Sequence, residues 1–423
     1  MTPQVERKSL GARIVRLDPP ILAVLAAALV LRVSFAVWLG ERVYQPDEGV
    51  YVSLAHNVAV YGVLGTGDLP TPDRPPALPF LLGVLFRVLG PGLVGVRLVY
   101  ALVSVASVWV LHRYATKVFG KRVGGWAAAA AAIYPFFVYW SGILMTETLT
   151  IFFVSLAITW THAALESKDG DGDAVAAVAA GLFWGAATLT RTQNLAFPFL
   201  LTPWLAWRAG ARRTRIPALF LAAALLLPAL WAARNWKEFS APTLDTHSGY
   251  TLAIRTMFYD QDQIDTSVAD EALRKTELFR EASALPLVQR DRVYMRASLR
   301  FIRQNPFTYL RHCAGNVWQF WRFYPRLDKT VGVAGTAFLN GDRRLFALVS
   351  VLTEPALMLL ALFGLHFGLK EKLPLALPCL FIAGTTLIHA LVISQMRYRI
   401  PVMPFVVLMA SIGFVRLLDR TAR

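Results

Sequence analysis

The chain has 423 residues, 56% of them hydrophobic and only 17% charged, where a soluble domain carries about a quarter. Its net charge of +16 lies in short clusters between long apolar runs, which serves membrane topology rather than a nucleic-acid surface. Cys313 and Cys379 stand far apart in apolar surroundings and form neither a metal motif nor a disulfide framework.

The first apolar run, residues 19–39, is too long for a bare signal peptide and is followed by many more. Spanning helices are expected over 19–39, 94–115, 123–139, 144–165, 173–190, 194–209, 215–233, 342–368, 373–393 and 399–417. A span needs about 20 residues, so these runs give about ten spans, within roughly nine to twelve. Pro228 is tolerable inside one of them, because neighbours can repair the lost hydrogen bond. Basic clusters test the arrangement: Lys8, Arg13 and Arg16; Arg113, Lys117, Lys121 and Arg122; Arg208, Arg212, Arg213 and Arg215; Lys370 and Lys372; Arg416, Arg420 and Arg423. With this topology all fall on one side, which the positive-inside rule makes the cytoplasm. The acidic connection ESKDGDGD, residues 166–173, shares that side.

Two large outer segments remain, residues 40–93 and 234–341. Within them the short apolar pieces 76–89 and 309–323 suit helices lying along the membrane surface. Residues 268–304 suit a helix that stops at Asn305-Pro306. The expected fold is one all-α polytopic membrane domain over residues 1–423, with amphipathic helices in the first outer loop and a partly helical second one.

The outer helix ends collect polar side chains. Asp47 and Glu48 stand in YQPDEGVY, in the loop after the first span. Arg74 precedes Pro75-Pro76, and Glu147 opens the fourth span. Arg191, Gln193 and Asn194 fill a tight turn, and Arg397 and Arg399 open the last span. A charge at the centre of the hydrocarbon costs at least ~2.5–3.5 kcal/mol, and a water-filled cavity near the boundary lowers that cost. Carboxylates beside arginines suit a substrate that carries a phosphate and a reacting hydroxyl. Arginine offers phosphate a planar, permanently charged fork. A carboxylate can take a proton or hold a divalent metal, for which Asp47 and Glu147 are the candidates. Tyr51 and His247 are further candidate substrate contacts. Glu48 fits an ion-pair role as well as a catalytic one, and Arg74 and Arg399 also fit headgroup contacts. No HExxH, no GxxxxGK[ST] and no dinucleotide fingerprint is present, so an activated donor has to be membrane-borne.

The stretches PDEGVYVSLAHNVAVYG (46–62), DRPPALPFLLGVLFRVLG (73–90), YPFFVYWSGILMTETL (134–149), GLFWGAATLTRTQNLAF (181–197), ARNWKEFSAPTLDTHSGYTL (233–252) and MRYRIPVMPF (396–405) carry a resemblance. In this order the sequence resembles polytopic glycosyltransferases that use polyprenyl-phosphate sugars, of the protein-O-mannosyltransferase and lipid A aminoarabinose transferase type. The resemblance covers nearly the whole chain and implies a GT-C-like fold with an extracytoplasmic active site. It implies that Asp47 is the catalytic carboxylate and that Arg74 meets the lipid phosphate, joined by Arg399 or a divalent metal. Glu147 stands where these enzymes usually have an aspartate. Val50 stands where aminoarabinose transferases commonly have an arginine, which argues against copying their substrate.

The implied reaction is inverting transfer of a sugar from a polyprenyl-phosphate donor to a hydroxyl on protein, lipid or glycan, with Asp47 as general base. The implied location is a bacterial plasma membrane, with the site facing the periplasm or exterior. A glycolipid transporter or flippase would also need a charged cavity, but with charges near the midplane and paired half-repeats. A lipid-linked glycan polymerase or ligase stands as another reaction on the same carrier.

Overall fold

The computed structural model describes residues 19–166, 170–209, 214–258, 266–323 and 337–421. Lys8, Arg13, Arg16, Arg212, Arg213 and Arg423 lie outside the described residues, as do positions 324–336 of the second outer segment.

The chain opens with α1 (Pro19–Leu39), α2 (Pro46–Tyr61), a small antiparallel hairpin of β1 (Gly65–Thr66) and β2 (Leu69–Pro70), and α3 (Ala77–Leu89). Next come α4 (Leu93–Phe119), α5 (Lys121–Ile133), α6 (Pro135–Gly142), α7 (Thr146–Glu166), α8 (Gly170–Thr190), α9 (Ala196–Ala209) and α10 (Arg215–Phe239). The second outer segment holds α11 (Ser248–Met257), α12 (Thr266–Arg274), α13 (Glu277–Ser283), α14 (Leu287–Gln304) and α15 (Pro306–Trp321). The chain closes with α16 (Ala337–Lys370), α17 (Ala376–Leu391), a 3-10 turn (Met396–Val402) and α18 (Met403–Thr421).

Among the described residues, 7 helices are long and apolar enough to cross a membrane, or 8 if α5 and α6, bent by 54°, form one span. The expected count of about ten is not confirmed by this measure, because the runs 194–209 and 373–393 form shorter helices. The first folds as a 3-10 turn (Thr192–Leu195) and the 14-residue α9, the second as the 16-residue α17. At 1.5 Å per residue these reach only about 21 and 24 Å, short of a hydrocarbon core of about 30 Å. The short pieces 76–89 and 309–323 fold as helices: α3 exposes Phe80, Val84 and Val88, and α15 exposes Phe307, Leu310 and Trp318.

Ion pairs gather one end of the bundle. Lys117 meets Glu166 at 3.0 Å, Arg122 meets Asp419 at 2.5 Å, and Arg416 meets Glu371 at 2.5 Å. The last turns of α4, α7, α16 and α18 therefore share a level, and the opposite helix ends are left to build the site.

Breaks in the spans set the interior charges. Pro135 has no N–H to give the carbonyl of Ala131. Arg32, fully buried on α1, donates to Ala131 O (3.1 Å), Ala132 O (2.8 Å) and Ser104 Oγ (2.8 Å) instead. Arg399 and Glu354 pair at 2.6 Å, with Tyr134 donating to the same carboxylate. Arg399 also takes the end of α15 through Phe320 O (3.2 Å) and Arg322 O (2.5 Å).

The α16–α18 contact depends on two glycines. A Cβ on Gly364 would stand 1.7 Å from Met409 O, and one on Gly413 would stand 2.2 Å from Leu360 O. Gly413→Ala is expected to push the helices apart and cost about 1–3 kcal/mol. Thermal unfolding in detergent reads this as a lowered midpoint; an unchanged midpoint would contradict the close approach.

Candidate active site

The acids of YQPDEGVY open a helix rather than occupying a loop. Gln45 is extended (φ −125, ψ 140), Pro46 takes the first helical position, and Asp47 and Glu48 complete the first turn of α2. Proline presets φ there and needs no hydrogen bond, and the positive helix end favours acids.

The two acids then part. Glu48 turns inward and is fully buried. Its Oε1 accepts from Arg97 Nη2 at 2.9 Å and Leu144 N at 3.0 Å, and its Oε2 accepts from Tyr44 N at 2.8 Å. Arg97, also fully buried, donates in addition to Gly142 O (2.8 Å), Arg42 O (2.6 Å) and Gly40 O. This knot joins the exit of α1, the start of α2, α4 and the α6–α7 connection. Glu48 was expected among the catalytic residues; its oxygens are engaged away from the cleft.

Asp47 faces a cleft with about 150 Å³ of internal volume. Its Oδ2 meets Arg397 Nη2 at 2.9 Å and its Oδ1 meets Arg74 Nη2 at 3.5 Å. Arg74 Nε also reaches Asp73 Oδ2 at 3.3 Å, and its guanidinium stands 5.9 Å from the Tyr51 ring. Burial disfavours the charged form of Asp47, but the Arg397 and Arg74 guanidiniums, with His247, outweigh it and hold the carboxyl below the usual carboxylate range. Burial pushes the Tyr51 hydroxyl up to about 12, so it stays a donor.

Arg191 lines the same cleft, donating from Nη2 to Glu147 Oε1 (2.8 Å) and from Nε to Thr146 Oγ1 (2.8 Å). Glu147 is fully buried behind it, paired to that guanidinium. Asn194 is buried and donates to Ala187 O at 3.0 Å, which closes the turn after α8. Arg399, two residues from Arg397, belongs to the interior pair with Glu354. Of the residues expected at the site, Asp47, Tyr51, Arg74, Arg191, His247 and Arg397 line one cleft. Glu48, Glu147, Asn194 and Arg399 stand behind it.

Three further residues complete the wall. Asp245 accepts from Thr192 Oγ1 at 2.6 Å, His247 N at 3.1 Å and Ser248 Oγ at 3.2 Å, which ties the start of α11 to the turn after α8. Asp73 stands 3.8 Å from His247 Nδ1. Burial opposes its charge, yet His247 and Arg74 hold the carboxyl below its ordinary range. Tyr398 lies under two guanidiniums, Arg191 at 5.4 Å and Arg397 at 5.1 Å from its ring. Asp73 and Asp245 sit inside the stretches quoted for the resemblance. Their sign was the nearness of each to a residue already marked: Asp73 is next to Arg74, and Asp245 is two residues before His247.

Among the described residues, no group of three or more His, Cys, Asp or Glu side chains could hold a metal ion. Asp47 and Glu147, the candidates for a divalent ion, each pair with an arginine in this structure.

Residues 73–233 match the sequence family described as dolichyl-phosphate-mannose-protein mannosyltransferase. No curated protein matches the chain. Among solved structures, the oligosaccharyltransferase of Archaeoglobus fulgidus, tethered to an acceptor peptide containing the NVT sequon, is similar at 16% identity and a TM-score of 0.56, over 95% of this chain and 50% of that one. The same enzyme in complex with Zn and sulfate gives 15% identity and 0.54, over 94% and 49%. ArnT from Cupriavidus metallidurans bound to undecaprenyl phosphate gives 16% identity and 0.45, over 93% and 77%. The chain thus spans about half the length of the oligosaccharyltransferase it matches. It has a GT-C-like membrane fold, and the matched family stretch carries Arg74, Glu147 and Arg191 of the site.

Proposed function

We propose that the chain is an inverting glycosyltransferase that moves a sugar from a polyprenyl-phosphate donor to a hydroxyl acceptor, with Asp47 as general base. The observation that carries this reading is one carboxylate held at a cleft by two guanidiniums, Arg397 at 2.9 Å and Arg74 at 3.5 Å. The match of residues 73–233 to a dolichyl-phosphate-mannose family supports a lipid-borne sugar. The positive clusters at the opposite helix ends support an outer-facing site in a plasma membrane. The domain division proposed is one catalytic membrane unit, with 40–93 and 234–341 as its outer segments.

The ion pairs define an order of events. Before the donor binds, Arg397 and Arg74 stabilise the charge on Asp47, which makes it a weak base. A donor phosphate offers the same guanidiniums new oxygens in bidentate geometry. As they turn to the phosphate, Asp47 loses its stabilising charges and its proton affinity rises. An acceptor hydroxyl then gives its proton to Asp47 while its oxygen attacks the sugar C1. The bond from C1 to the phosphate oxygen breaks, and polyprenyl phosphate leaves with one more negative charge. Arg74 and Arg397 meet that charge, a stabilisation largest where charge develops. A single displacement inverts C1. The acceptor, whether protein, lipid or glycan, enters from the aqueous side beside Asp73 and His247. A divalent ion on Asp47 would compete with both guanidiniums for its oxygens, so the phosphate is assigned to the arginines.

Membranes supplied with radiolabelled polyprenyl-phosphate sugars test the base. Asp47→Asn is expected to lower kcat by about 10²–10⁴-fold, while Glu48→Gln acts chiefly on the amount of folded protein. Equal transfer by Asp47→Asn and wild type would remove Asp47 from its role.

The pH profile tests the order of events. Asp47 is depressed in the free enzyme, so it is ionised above that depressed value, and kcat/KM falls only as the pH drops through it. The acid limb of kcat, which reports the donor complex, is expected at higher pH than that of kcat/KM. Arg397→Met is expected to move the kcat/KM limb upward. Coincident limbs in wild type would mean that the phosphate leaves the Asp47 pairs intact.

A further inference from the structure

His389 lies on α17, outside the cleft lining, and 2% exposed. Its ring is stacked between Phe320, centroids 5.5 Å apart at 24°, and Tyr398, 4.9 Å apart at 13°. Both nitrogens are engaged, Nδ1 with Ile393 O at 2.7 Å and Nε2 with the Gln193 side-chain nitrogen at 2.8 Å. A carbonyl oxygen can only accept, so Nδ1 carries the proton. In the neutral ring Nε2 is then an acceptor, and the group facing it must be the Gln193 NH₂. The tautomer therefore fixes which way the Gln193 amide points.

Gln193 lines the cleft together with Asp47, Arg397 and Tyr398. With its nitrogen committed to His389, its other end is an oxygen, an acceptor with no donor among the described residues. The three guanidiniums of the phosphate side, Arg74, Arg191 and Arg397, are donors only. We propose that Gln193 is a specificity-determining residue whose side-chain oxygen accepts a hydrogen bond from a sugar hydroxyl in the cleft, and that His389 is the positioning residue that aims it. This rests on the glycosyl-transfer reading above. The hydroxyl belongs either to the transferred sugar or to a sugar acceptor; the chemistry is the same, and kinetics separate the two. Free rotation would let Gln193 present nitrogen as readily as oxygen, so the lock itself selects for a hydroxyl donor.

The test compares wild type, Gln193→Met and His389→Phe in membranes, using a radiolabelled polyprenyl-phosphate sugar and monodeoxy versions of donor and acceptor. Gln193→Met keeps length without an acceptor oxygen. His389→Phe keeps the ring stack and releases the amide. Wild type is expected to discriminate against one monodeoxy compound by about tenfold, the worth of one hydrogen bond. Both variants are expected to bring that ratio towards one. A matching rise in the donor KM assigns the hydroxyl to the transferred sugar, and a rise in the acceptor KM assigns it to the acceptor. The ratio is taken within each preparation, so a smaller folded fraction does not change it. Wild-type transfer with the same discrimination in Gln193→Met overturns the inference and leaves the function standing. Discrimination lost in Gln193→Met but kept in His389→Phe overturns the positioning role. No transfer by wild type from any donor overturns both readings.

Discussion

The site depends on the buried pair of Glu48 and Arg97. Two charges removed from water carry a desolvation penalty of several kcal/mol per ion, which attraction alone seldom offsets. Here the penalty is met because the pair is also a backbone clamp. Glu48 accepts two main-chain N–H groups and Arg97 donates to three main-chain carbonyls. Those groups sit where α1 has ended, α2 has not begun and α6 has broken, so no helix could satisfy them. The pair thereby fixes the direction of the first turn of α2. Successive residues on a helix differ by about 100° in direction, so anchoring Glu48 inward points Asp47 to the cleft. Adjacent acids divide the work: one sets the geometry that the other uses.

The same rule governs the other interior cations. Arg32 and Arg399 do not line the cleft, and each stands where a helix has been interrupted. Arg32 caps carbonyls freed by the break before Pro135, and Arg399 caps the carbonyls at the end of α15. In hydrocarbon an unsatisfied carbonyl costs several kcal/mol, so an arginine there answers two needs at once. The bundle can then afford broken helices at one end, and those breaks supply the cleft with backbone turns and polar side chains.

The sequence made the membrane class, the gathering of polar residues at helix ends and most of the cleft lining legible. Composition and run length report burial in lipid directly, and a charge at a helix end has few places to go. Asp47, Arg74, Arg191 and Arg397 could therefore be named from position. The partition between lining and support could not. Glu48 and Asp47 are neighbours of like charge, and only Arg97, 49 positions from Glu48, separates their roles. Arg97 itself lies one turn inside α4, and no motif in the sequence singles it out. Glu147 and Arg399 opened their spans as expected, but their partners, Arg191 and Glu354, come from other helices. The helices at 194–209 and 373–393 came out shorter than the runs suggested for a local reason: α9 and α17 are apolar, but the turns before or after them consume residues that a run count assigns to helix.

The cleft has two unlike walls, which bears on how one site can hold two substrates. On one side Arg74, Arg191 and Arg397 present positive charge beside Tyr398, a surface suited to the phosphate of the proposed donor. On the other, Asp73, Asp245 and His247 mix acceptors with an imidazole, a surface suited to the hydroxyls of the proposed acceptor. Asp47 sits at the seam. Asp245 joins the second wall to the first by holding Thr192 of the turn after α8 and the start of α11. The second outer segment is thus fastened to the membrane bundle at the site itself. A change of acceptor would need changes in that segment and in residues 243–248, while the phosphate wall, built from the ends of the spans, could stay as it is. On the proposed reaction its two halves are anchored in different parts of the chain, and the buried pair places Asp47 between them.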